Sequence, residues 1–195
     1  MMKRIALFIL FVLVFCNTEA QHHISDMPGY ADSVNSGLIP ADTMKGSPHR
    51  VTMANIGDSH VHIEYGSPGV KDRVIWGGLV AYDKVWVTGA HNATIISFGK
   101  NMIWGGKQVP AGTYGFFTIP GKEKWIVILN KNSEMHLADD YDEKNDVARI
   151  EVKPNMLNNP IQRLTYAVKE NAKGKGEVIV QWEKLEVRIP VSVQK

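Results

Sequence analysis

TYGFFTIPGKEKWIVILN, residues 113–130, decides the fold class of this chain. Two runs of β-branched and aromatic residues flank Pro120-Gly121, a pair that reverses the chain, so the stretch reads as a hairpin with arms Gly112–Ile119 and Trp125–Asn130. In the return arm Ile126 and Ile128 point one way while Trp125, Val127 and Leu129 point the other. A strand apolar on both faces belongs deep inside a packed sheet.

Working outward, EVIVQWEKLEVRIPVSV, residues 177–193, reads as a second hairpin with arms Glu177–Glu183 and Leu185–Val193. In its return arm Leu185, Val187, Ile189 and Val191 face inward and Glu186 and Arg188 outward, leaving one wet face. Pro190 lacks a backbone donor, which predicts an edge position there. Further strands are expected at Arg50–Ile56, His60–Tyr65, Lys84–Thr88, Ala93–Phe98, Val147–Val152 and Arg163–Val168, divided by Gly, Pro, Asn and Asp. No stretch sustains a helical apolar stripe for three turns, so the expectation is an all-β fold: an antiparallel, jelly-roll-like β-sandwich.

Ahead of the strands the chain reads differently. Lys3 and Arg4 precede an apolar run from Ile5 to Cys16, and Thr18-Glu19-Ala20 follows, the pattern of a signal peptide over residues 1–20. The run is shorter than the roughly 20 apolar residues a spanning helix needs, and no other stretch approaches that length. Phe15 before Cys16 argues against a lipid anchor on that cysteine, so the chain reads as exported, periplasmic or extracellular. Cleavage after Ala20 removes the one cysteine and with it any disulfide. Residues 21–47 are rich in Gly, Pro, Ser and Asp without periodicity, the composition of a disordered, flexible leader, and 48–195 reads as one domain.

The whole chain carries 22 basic and 20 acidic residues; removing Lys3, Arg4 and Glu19 leaves 20 against 19. So small an excess gives no electrostatic ground for nucleic-acid binding.

Several motifs together resemble a known family. SPHRVTMANIGDSHVHIEYGSPGVKDRVIWGGLVAYDKVWVTGAHNATIISFGKNMIWGGKQVPAGTYGFFTIPGKEKWIVILN, followed by YDEKNDVARIEV, is similar to the domain-of-unknown-function 2911 family of exported Bacteroidota-type proteins. The most specific elements are the Trp-x-Thr-Gly-Ala loop at Trp86, with Thr94 after it, and Pro110-Ala111-Gly112-Thr113-Tyr114. The resemblance implies a secreted β-rich domain and no established activity. The chain departs from the family pattern at Val87, where an arginine is common, and at His91-Asn92, where Asn then Glu is more frequent.

Candidate chemistry gathers in two places. His60, His62 and Glu64 alternate along a strand, so two imidazoles and a carboxylate share one face, a donor set suited to a divalent metal. The same alternation describes an ordinary half-exposed strand. His91 is a third ligand if the loop after Trp86 folds over the sheet, with His49 and His136 as further sources. The second candidate is a recognition set for a small molecule or glycan: Arg73, Trp86, Thr88, His91, Asn92 and Tyr114 offer flat rings, a guanidinium fork and directional hydrogen bonds.

Other chemistry lacks its motifs. GxSxG is absent, and Trp76-Gly77-Gly78 and Trp104-Gly105-Gly106 have neither the lysine nor the helix of a phosphate loop; they read as bends. The acidic run Asp139–Asp146 lacks calcium-loop spacing, and Asp146 with Arg149 reads as a pair tying loop to strand. Binding without catalysis is therefore the leading expectation. The alternatives are a metal-dependent enzyme on the strand histidines, and an interaction domain whose edge near Ile189–Val193 pairs with a partner chain.

Overall fold

A computed structural model describes residues 29–194. The expected signal peptide over residues 1–20, with Cys16, and residues 21–28 of the expected leader lie outside the described residues.

The described residues form an antiparallel β-sandwich, as the strand pattern predicts. One helix, α1 (Tyr30–Asn35), precedes ten strands: β1 (His49–Ile56), β2 (Ser59–Gly66), β3 (Thr94–Phe98), β4 (Met102–Trp104), β5 (Lys107–Val109), β6 (Gly112–Ile119), β7 (Trp125–Asn130), β8 (Asp146–Val152), β9 (Asn155–Ala172) and β10 (Lys175–Val193). Six make one sheet in the order β1-β2-β3-β6-β7-β8, and four make the other in the order β5-β4-β10-β9.

The main core lies between the sheets. Val61, Ile63 and Tyr65 of β2, Ile96 and Phe98 of β3, and Val127 and Leu129 of β7 meet Tyr166, Val178, Val180 and Trp182 from the facing sheet. Trp76, Trp86, Trp125 and Trp182 cluster there, Trp86 stacking on Trp182 at 5.7 Å between ring centroids and Trp76 meeting Trp125 edge-on at 4.8 Å. Such edge and offset contacts suit the ring quadrupoles. A second, smaller core forms on the outer face of the six-stranded sheet, where Val87, Ala93 and Met135 cover Phe117 and Ile128. That cover is why β7 is apolar on both faces. Toward β1 the outer face is open, and Val51 and Met53 stand exposed on it.

Several expectations are corrected. From Gly29 onward the presumed flexible leader is folded: Tyr30, Val34 and Met44 are buried together, and Asn35 hydrogen-bonds both backbone groups of Arg163. Its apolar residues are too few for a periodic pattern, yet each finds a tertiary partner. Residues 177–193 are one continuous strand, not a hairpin; Glu183, at φ 52°, makes the bend, and β9 is the true partner of β10. Pro190 is not on a sheet edge. It falls where the β9 register has ended at Glu186 and the β4 register has yet to begin at Val191, so its missing N–H interrupts no ladder. Val191–Val193 pair with β4 along one side, and the Val193 N–H donates to the Gly174 carbonyl of the same chain. The expected strand Lys84–Thr88 contracts to a bridge between Trp86 and Thr118. The β4–β5 hairpin lies at one of the glycine bends, where Gly105 and Gly106 both take positive φ.

Candidate functional site

The site grows from the β1–β2 hairpin. Its register sets Val51 opposite Glu64, Met53 opposite His62 and Asn55 opposite His60. Val61, Ile63 and Tyr65 are buried, so His60, His62 and Glu64 necessarily share the outer face. His49 lies diagonally across from Glu64 on that face, within reach for long side chains.

The loop after Trp86 then folds over the end of β2. Trp86 exchanges both backbone hydrogen bonds with Thr118, and its indole N–H donates to the Gly89 carbonyl at 3.1 Å. Thr88, at φ 51°, is fully buried. Its hydroxyl donates to Thr118 Oγ1 at 2.9 Å, and its carbonyl accepts from the hydroxyls of Tyr166 at 2.7 Å and Thr94 at 3.1 Å. Gly66 lets the loop close down, for a Cβ there would stand 2.3 Å from the Ala90 carbonyl oxygen. His91 adopts φ 67°, a left-handed conformation that histidine tolerates better than most residues. The far side is held by Leu137, whose N–H donates to the His91 carbonyl at 2.7 Å, and by Ala93, whose N–H donates to Met135.

A cavity of about 310 Å³ results between loop and sheet. His91 and Asn92 form one wall, His49, Glu64 and Ser47 the other, and Ala90, Ala93 and Ile95 supply apolar surface. Glu64 is clasped from two sides, His62 Nε2 lying 2.8 Å from one oxygen and His49 Nε2 3.3 Å from the other. The His62 hydrogen bond holds the Glu64 carboxyl below the usual carboxylate range, against a smaller opposing effect of burial, and His49 adds to the lowering. Asn92 Oδ1 lies 3.4 Å from His136 Nδ1, whereas the His91 ring has no hydrogen-bond partner among the described residues. The site can therefore offer a fixed negative charge, an amide and a free imidazole to one small molecule.

Of the six residues expected to recognise a ligand, the structure brings only His91 and Asn92 together at this cavity. Trp86 belongs to the tryptophan cluster between the sheets, and Thr88 is spent on the loop's own hydrogen bonds. Tyr114 is buried beside Phe98 and donates to the Pro110 carbonyl at 2.9 Å. Arg73 turns its guanidinium back onto the Gly69 and Val70 carbonyls of its own loop.

Of the metal set, Glu64 and His91 line the cavity and His62 holds Glu64, while His60 turns toward Asn55 Oδ1 at 3.1 Å. Among the described residues no three His, Cys, Asp or Glu side chains are placed to hold a metal ion. The acidic loop is knit inward: Tyr141 donates to Asp146 Oδ2 at 2.7 Å and Arg149 reaches the same oxygen at 2.7 Å. Sequence reasoning underweighted His49 and passed over Ser47. The signal for His49 was the tight Gly57-Asp58 turn, which fixes the hairpin register and sets His49 diagonal to Glu64.

A family model described as "Protein of unknown function (DUF2911)" matches residues 47–191. The chain belongs to the DUF2911 family. Neither a search of curated proteins nor one of solved structures gives a match. The DUF2911 match takes in the sandwich up to Val191 in β10, the loop after Trp86 and both walls of the cavity, and begins just after the segment that carries α1.

Proposed function

We propose that this protein binds a small polar ligand in the cavity under the loop after Trp86 and releases it unchanged. One observation carries the reading: the loop brings His91 and Asn92 over the sheet to face Glu64 and His49 across a space of about 310 Å³, near the small end for ligand sites. Glu64 is kept ionised by its two imidazole neighbours, which suits it to accept hydrogen bonds and ill suits it to deliver a proton. No tryptophan lines the cavity, and Tyr65, which does, is buried with its ring packed against Tyr166. Stacking on a sugar ring is thus a weaker basis for recognition than hydrogen bonding, and the ligand class supported best is a hydroxyl- or amine-bearing molecule of roughly monosaccharide size.

Monosaccharides, amino sugars and small amines screened by thermal shift, then titrated calorimetrically, test the reading. At least one should bind, and the His91→Ala/Asn92→Ala double variant should lose that binding while unfolding at a similar temperature. Binding that survives the double variant would move the site elsewhere. The basic–apolar–small leader further supports placing this activity outside the cytoplasm.

A further inference from the structure

We propose that the crease between β9 and the segment Ser67–Val70 is a recognition groove for an acidic peptide segment, filled in cis by residues Tyr30–Gly46 of the same chain. It is separate from the cavity at His91 and does not depend on the function proposed for it.

The groove begins as a defect in the sheet. Between paired positions β10 advances from Gln181 to Glu183 while β9 runs from Thr165 to Ile161, two steps against four, so β9 bulges around Arg163. The backbone groups of Arg163 consequently fall outside the β9–β10 register. Asn35 takes both, donating from Nδ2 to the carbonyl at 3.0 Å and accepting from the N–H at 2.7 Å. One carboxamide side chain does what a neighbouring peptide unit does in a sheet.

The Arg163 side chain sets the charge preference. It is fully buried and has four acceptors: Asp42 Oδ1 at 2.8 Å, Met44 O at 3.1 Å, Gly46 O at 3.3 Å and Ser67 O at 2.9 Å. Three of the four come from the inserted segment. Tyr30 places its ring 5.6 Å from the guanidinium carbon and donates its hydroxyl to the same Asp42 oxygen at 3.2 Å. A buried guanidinium needs a carboxylate, because removing either partner leaves an uncompensated charge. Gly69 makes room for this one, since a Cβ there would lie 2.3 Å from Asp42 Oδ2.

Two features mark the segment as an occupant of the groove. The family match starts at residue 47, so Tyr30–Gly46 precede the domain they dock on. The contact is also loose beside its anchors, leaving a cavity of about 640 Å³ between Pro40, Asp42, Lys71, Asn159 and Gln162. The hold is a few directional anchors at Tyr30, Asn35 and Asp42, the pattern of a peptide in a groove.

The test keeps the full chain. A fluorescent synthetic peptide of residues 29–46 is titrated against wild type, Asp42→Asn and Arg163→Lys chains by anisotropy, with hydrogen exchange reporting on residues 30–46. Covalent attachment gives the cis segment an effective concentration of roughly millimolar, so the wild type should not take up the peptide. The Asp42→Asn chain should lose protection over residues 30–46 and bind the peptide saturably. A peptide carrying Asp42→Asn should bind it roughly tenfold more weakly or worse, and the Arg163→Lys chain should bind neither. If Asp42→Asn fails to fold by circular dichroism, Asn35→Ala takes its place. Unchanged protection over 30–46 in both variants overturns the proposal. So does a released segment without peptide uptake, equal uptake by wild type, or equal binding of the neutral peptide.

Discussion

At the scale of single residues, Glu64 and Gly66 govern the cavity. Glu64 has its folded pKa lowered, first by the His62 hydrogen bond. A lowered carboxylate stabilises the fold fully above its unfolded value of roughly 4.3, and that contribution disappears as pH falls through the folded value. The melting temperature of Glu64→Gln should therefore lie below wild type near neutrality, with the difference closing below about pH 4; a constant offset across that window would show that the carboxylate charge is irrelevant. Since the Glu64 side chain is 40% exposed, the offset should be small. Gly66→Ala acts through space instead, because its Cβ would meet the Ala90 backbone, which cannot swing aside. Loss of about 1–3 kcal/mol in chemical denaturation is expected from that overlap, together with loss of ligand binding.

Among the elements, the hairpins show how local chemistry is overruled. Gly105 turns the chain between β4 and β5 at φ 53° with Ile150 directly over it. Gly105→Ala should lower stability by more than the penalty of a left-handed non-glycine residue, about 1–2 kcal/mol, because its Cβ would also overlap Ile150. Alanine at Gly106, which has open space despite φ 88°, should suffer that conformational penalty alone. Equal losses at the two positions would remove the contact with Ile150 from the account. The Pro120-Gly121 hairpin was legible in the sequence because turn residue and apolar run coincide. The continuity of β10 was not: Glu183-Lys184 has the polarity of a turn, and only the pairing of Leu185 and Glu186 with Met156 and Asn155 carries the strand on past the bend at Glu183. Within that stretch burial pushes Glu186 upward, but hydrogen bonds from Arg188 and Gln181 outweigh it and keep the carboxyl low.

For the whole molecule, the tryptophan cluster ties the two sheets and the loop after Trp86 into one unit. Trp182 is almost fully buried at its centre, so Trp182→Ala should cost about 3–5 kcal/mol, read from urea unfolding. Trp86→Phe keeps an aromatic ring in place but removes the hydrogen bond to Gly89. It should loosen residues 87–92 in hydrogen exchange while leaving the strands protected; uniform loosening would mean that the cluster holds the core and not the loop. In an exporting host, mass spectrometry of the purified chain should find Gln21 at its start, and an intact Met1 in the secreted fraction would refute the expected cleavage.

The sequence alone determined the antiparallel sandwich, the two arms of its best hairpin, the shared face of His60, His62 and Glu64, and the family. These follow from period-two alternation and turn residues, which act over a few positions along the chain. Tertiary structure alone decided which of Arg73, Trp86, Thr88, His91, Asn92 and Tyr114 meet, and it turned a Gly- and Pro-rich leader into a docked segment. The reason is that both outcomes rest on contacts distant in sequence, Glu64 with the loop at His91 and Asp42 with Arg163, which no local pattern encodes.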